Sequence, residues 1–141
     1  MKPLYALTLL VAIFILPACS KDVLKSYDKR IIGTWKIIDV DRFGFSAADA
    51  LPFAEDDLFT FAEDGALTCV LSNKNYKGSW DIERRNENEE QLKKLHIVAV
   101  DFTSEEVRTE NFTNMQFTGT NRFVTHLNYG TRTYTYRFLR Q

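Results

Sequence analysis

The stretch "DLFTFAEDGALTCVL", residues 57–71, sets two short apolar runs on either side of an acidic turn, and its reading decides the fold. The central Asp64-Gly65 pair is expected to supply the positive backbone angles of a tight β-hairpin. Similar text continues downstream. In "NYKGSWDIER" (75–84), Tyr76, Gly78, Trp80 and Ile82 fall on one face of a strand and Lys77, Ser79, Asp81 and Glu83 on the other. One face is therefore buried and the other wet.

Upstream, "IIGTWKIIDV" (31–40) puts Trp35 and Ile37 on one face and Lys36 on the other. A charged loop at 84–90 leads to "LKKLHIVAVDF" (92–102), the most apolar run, whose β-branched content argues for a well-covered strand despite its length. After a turn at "TSEEVRT" come "ENFTNMQFT" (110–118), "NRFVTHLNY" (121–129) and "TRTYTYRFLR" (131–140), punctuated by Gly119 and Gly130. Tyr134, Tyr136 and Phe138 share a face of the last run. The spacing of roughly 8 to 14 residues between turn signals predicts an all-β domain. Eight strands with short connections predict an eight-stranded antiparallel up-and-down barrel, with a β-sandwich as the alternative.

Two segments break the pattern. Residues 22–29 predict one or two helical turns that plug a barrel end. The long connection 41–56 has a helix start at "SAAD", where Ser46 caps and Asp49 replies, and Pro52 stops it.

The N-terminus carries a different kind of information. Lys2 is followed by an apolar or small stretch from Leu4 to Ala18, with no acid before Asp22, which is the layout of a secretory signal. The stretch is about 15 residues, short of the roughly 20 that a membrane span needs. "LPAC" (16–19) resembles the lipobox of bacterial lipoproteins, in which the chain is cut before a cysteine that already carries a diacylglyceryl group; Leu16, Ala18 and Cys19 match, and Pro17 is less usual. That resemblance divides the chain into a signal peptide (1–18), a lipidated cysteine and polar tether (19–30) and a barrel domain (31–141). Because Ser20 and Lys21 are not aspartate, it points to the outer membrane, on the periplasmic side or at the cell surface. A lipid on Cys19 leaves Cys69 unpaired, and "ALTCVL" then reads it as a small buried hydrophobe. A Cys19–Cys69 disulfide and a catalytic thiol are the less favoured readings, since no histidine lies near Cys69 in sequence to activate it.

Removal of residues 1–18 takes away Lys2 and no acid, so 18 basic residues become 17 against 19 acidic ones. With no basic stripe, nucleic acid is not an expected partner.

Gly33-Thr34-Trp35 matches the G-x-W signature on the first strand of lipocalins. More of the chain is similar to the lipocalin-like domains of Gram-negative lipoproteins: Gly33 to Trp35, Phe59 to Gly65, Gly78 to Ile82, and a Tyr/Phe-rich last strand from Tyr134 to Leu139. The resemblance implies that Trp35 closes one barrel end beneath an arginine from the last strand. Arg137 is the candidate and Arg140 its rival. It also implies binding of a small, mostly apolar ligand, for which Phe59, Phe61, Tyr76, Trp80, Phe123, Tyr134 and Tyr136 are the candidate lining.

An eight-stranded interior either holds one small ligand or fills with side chains. In the second case the protein is an interaction module that binds an envelope protein or glycan through its loops. Phe43, Phe45, Leu51 and Phe53 on the long loop are read either as a lid over a mouth or as a flap over core.

Signals for chemistry are sparse. His96 and His126 lie in strands outside any metal-ligand spacing. Glu105-Glu106 and the cluster Glu87, Glu89 and Glu90 read as solvated turn residues. "NFT" (111–113) matches a glycosylation acceptor, which bacterial lipobox processing makes irrelevant. No enzyme activity, metal or cofactor is expected.

Overall fold

The computed structural model describes residues 25–44, 51–87 and 90–141; for residues 85–92 it describes no side chains. Cys19 and the signal region, Phe45 and the helix start at 46–49 lie outside the described residues.

A five-residue helix, α1 (Tyr27–Ile31), precedes eight strands: β1 (Gly33–Phe43), β2 (Leu58–Phe61), β3 (Ala66–Leu71), β4 (Lys74–Glu87), β5 (Glu90–Asp101), β6 (Glu106–Phe117), β7 (Arg122–Tyr129) and β8 (Arg132–Arg140). Each strand pairs antiparallel with the next and β8 returns to β1, giving a closed up-and-down barrel. Closure excludes the sandwich and gives every strand a partner on each side, while the β4–β5 hairpin extends beyond its other neighbours past Ser79 and before Leu95.

Of the expected helical turns at 22–29, residues 22–24 lie outside the described residues; among those described the helix runs from Tyr27 to Ile31, past the expected end, and Ile31 is fully buried against the barrel end. The 57–71 hairpin forms as read, with a correction at its turn. Gly65 alone takes a positive φ (83°), while the Asp64 side chain accepts a 3.0 Å hydrogen bond from the Ala66 N–H. A four-residue loop thus needs one left-handed residue where a two-residue turn needs two.

Two further boundaries move. Pairing of β4 with β5 runs out to Glu87 and Glu90, so the ladder enters the expected loop at 84–90 from both sides. Likewise β6 starts at Glu106, inside the expected "TSEEVRT" turn. In both places charged residues suggested a loop, yet a ladder requires only backbone donors and acceptors. Burial along β5 alternates, with Leu95, Ile97 and Ala99 inward and the outward residues half-buried, so the strand is fully covered on one face only.

Bulges interrupt β1 between Ile37 and Asp39 and β6 between Thr113 and Gln116. The β6 bulge lets Phe112 and Met115 both reach the core although they are an odd number of residues apart. Gly78, opposite Ala99, is required by close approach: a Cβ there would lie 1.8 Å from the Val98 carbonyl oxygen.

The barrel has two unlike ends. α1 and the turns β2–β3 and β6–β7 gather at one, here called the closed end. The turns β3–β4, β5–β6 and β7–β8 and the segment 51–57 gather at the other, the open end. Asp57 ties that segment down, accepting 2.8 Å hydrogen bonds from the N–H groups of Ala54 and Ser72 while buried.

Candidate functional site

All seven residues expected to line a ligand cavity do point inward, but they fill the barrel. Phe59, Phe61, Tyr76, Phe123, Tyr134 and Tyr136 are at most 3% exposed and Trp80 is 9% exposed. All seven belong to one continuous buried core cluster, of which Trp80 alone keeps noticeable exposure. Phe123 stacks on Phe138 at 4.3 Å, Phe61 meets Trp80 edge-on at 5.6 Å, and Phe59 meets Phe138 edge-on at 5.6 Å. These are ordinary separations for packed aromatic pairs. The Trp80 indole N–H is satisfied by the Ala62 carbonyl at 3.0 Å.

Phe53, from the long connection, completes the filling. It is buried among Phe59, Phe112 and Tyr136, and its N–H donates to the Tyr136 hydroxyl at 3.3 Å. Leu51 packs against the same core, whereas Phe43 is 80% exposed. The described part of the loop is therefore a plug, with Phe43 on the rim.

Above Phe53 lies a polar layer that the sequence reading missed. Glu106, Arg108 and Glu110 share the inward side of β6 with Phe112. Glu106 accepts hydrogen bonds from the Tyr76 hydroxyl (2.9 Å) and Arg108 Nε (2.8 Å), and Arg108 also donates to the Pro52 carbonyl (2.7 Å). The Tyr129 hydroxyl donates to Glu110. Arg108 and the Tyr76 hydroxyl hold the Glu106 carboxyl below its ordinary range. Burial, then the hydrogen bond to Glu106, pushes the Tyr76 phenol up. Glu106 is thus a working part of the mouth and not a solvated turn residue, which corrects the expectation for it. The alternation of "EVRTENF" (106–112) was the available signal, since it puts three charges in phase with a core phenylalanine.

The rim around this layer carries Phe43, Phe102 (75% exposed), Val107 and Tyr129, four of the five exposed large hydrophobic residues among those described.

At the closed end Trp35 is fully buried, with its indole N–H donating to the Ile31 carbonyl at 2.5 Å. The arginine over it is Arg140, 4.3 Å from the ring centre, which also donates to the carbonyls of Ile32 (2.7 Å) and Arg30. Arg137 instead pairs on the outer wall with Asp39 and with Asp41, the latter at 2.7 Å. The correction follows from alternation: Tyr134, Tyr136 and Phe138 face inward, so Arg140 does too and Arg137 cannot. Gly33 takes φ +123° against the same guanidinium, where a Cβ would lie 2.8 Å from Arg140 Nη1.

A cleft of about 530 Å³ opens on this end, lined by Lys25, Lys29, Arg30, Ile32, Glu63, Thr120 and Arg140.

The remaining chemistry-bearing groups sit apart from one another. Cys69 is free and buried inside the barrel, where burial and the nearby Asp57 carboxylate push its thiol up to about 12. Such a thiol is a packing group, not a nucleophile, at neutral pH. His96 contacts Asn111 at 2.8 Å and His126 contacts Thr135 at 3.0 Å, each across strands. Among the described residues, no group of three His, Cys, Asp or Glu side chains is placed to hold a metal ion.

The chain matches no family model, no curated protein and no solved structure.

Proposed function

We propose that this protein is a lipid-anchored component of the bacterial cell envelope whose lipocalin-like barrel is a non-enzymatic interaction module that binds an envelope protein through its open end. The observation that carries the reading is the contrast between a filled interior and an apolar rim. An internal ligand site needs a cavity of about 300 Å³ or more, and the seven inward aromatic residues are packed together in one buried core cluster. Exposed Phe43, Phe102, Val107 and Tyr129 cluster at one end, and apolar and aromatic surface rimmed by charge is characteristic of protein-binding patches.

The anchor fits the same geometry. A lipid on Cys19 would attach just ahead of α1, at the closed end, and so leave the rim pointing away from the membrane. The lipobox and the residues after it support an outer-membrane location.

The test is photo-crosslinking in intact envelopes with a reactive phenylalanine analogue at Phe102 and, as control, at Thr68 on the outer wall. A discrete protein adduct from position 102 alone is expected. If both positions give only background, or if the purified chain retains a lipophile one-to-one in native mass spectrometry, the reading is wrong and the small-ligand function takes its place. An adduct that contains only polysaccharide would replace the protein partner with a glycan.

A further inference from the structure

We propose that the basic cleft beside α1 binds the phosphate of an anionic lipid headgroup in the leaflet that holds the anchor, so that the barrel stands on the membrane closed end down. The inference rests on the reading of Cys19 as the lipidated residue, and the cleft adds a second, independent membrane contact.

The chemistry is in the lining. Lys25, Lys29, Arg30 and Arg140 meet there, with Glu63 as the one acid among the described lining residues. Arg30 and Arg140 are held in place. Arg30 lies over the Phe117 ring at 4.2 Å and donates to the Gly119 carbonyl, and Arg140 is fixed over Trp35. Lys25 and Lys29 are exposed and flank them. Cations on a packed wall beside exposed lysines form a site for a phosphate monoester or diester, since rigid guanidinium groups and point-charge ammonium groups both favour that anion. A neighbouring cleft of about 250 Å³ shares Lys25 and adds Arg84 and Lys93, the former paired with Asp28, which extends the positive face.

Position supplies the rest of the argument. Lys25 follows Cys19 by six residues, a reach of at most about 20 Å even when fully extended. Acyl chains on Cys19 therefore hold the cleft near the headgroup layer, where anionic lipids attract nearby Lys and Arg side chains. The protein as a whole is slightly acidic, so attraction to an anionic surface depends on presenting this end.

The test uses the unlipidated chain from Ser20 to Gln141, which retains α1 and all eight mutually paired strands. Co-sedimentation is measured with vesicles of phosphatidylglycerol in phosphatidylcholine and with phosphatidylcholine alone. Binding to the anionic vesicles only, abolished by high salt, is expected. Lys29→Glu should weaken it about tenfold, and Lys77→Glu, an equal charge change on the outer wall of β4, should leave it intact. Circular dichroism confirms that both variants fold. Equal binding to both vesicle types, or equal loss in both variants, overturns the proposal, as does binding of inorganic phosphate without binding of vesicles. Lipidation is read separately, from the mass added to Cys19 in the full chain expressed in a Gram-negative host. An unmodified Cys19 with intact vesicle binding would refute the anchor and leave the cleft, and the reverse result would refute the cleft alone.

Discussion

The two ends of the barrel solve the same problem, sealing a cylinder of backbone, with opposite chemistry. At the closed end Trp35 packs on Phe123 at 4.8 Å under a guanidinium whose donors go to main-chain carbonyls. At the open end Phe53 seals the core from a loop, and above it carboxylates, an arginine and tyrosine hydroxyls satisfy one another. The difference teaches where each end gets its strength. The closed end relies chiefly on buried aromatic area, which is indifferent to pH, with the exposed Asp28–Arg84 pair at its margin. The open end adds charged hydrogen bonds, which are not.

Substitutions should separate the two. The largest effect is expected from Trp35→Ala, which removes a fully buried side chain and its indole hydrogen bond and should cost about 4 kcal/mol. Urea unfolding followed by Trp80 fluorescence would report it as a large fall in midpoint. Phe53→Ala should cost less, about 3 kcal/mol, because part of the loop can collapse into the space. It should also open an apolar cavity beside Tyr136 that takes up a small aromatic probe. A variant as stable as wild type would mean that the loop does not plug the barrel.

Arg140→Ala should cost about 2 kcal/mol, since it strands charge-bonded carbonyls at the closed end. Arg137→Ala removes only two exposed ion pairs and should cost about 0.5 kcal/mol. Equal costs for the two arginines would undo their assignment.

The smallest effect is a pH slope. The folded protein holds the Glu106 carboxyl below its ordinary value of 4.5, chiefly through Arg108 and the Tyr76 hydroxyl. A lowered carboxyl stabilises the fold above the unfolded value, and that contribution is lost as pH falls through the folded one. Glu106→Gln should therefore be less stable than wild type at neutral pH, and the gap should close on acidification below about pH 4.5. Trp35→Ala should show no such convergence.

Much of this was legible in the chain. Tyr76, Trp80, Tyr134 and Tyr136 were placed inward by alternation alone, and burial of Cys69 followed from its apolar neighbours. The errors have a common source. A turn over "TSEEVRT" rests on side-chain polarity, although a strand whose outer face meets water accepts charge without losing a single ladder bond. Glu106 and Arg108 were missed for the same reason. They are polar residues on an inward face, tolerated because the barrel mouth lets them pair with each other and with Tyr76.

The sequence by itself determined the number of strands, their antiparallel order and which side chains face inward, because turn chemistry and a period of two are local properties of the backbone. Whether eight strands close, whether the interior stays hollow, and which residues meet at each end depend on register and on the volumes of rings brought together from distant strands. Only the tertiary structure decided those: β8 pairs with β1, Phe53 drops into the core from the connection between β1 and β2, and Arg140 lands over Trp35.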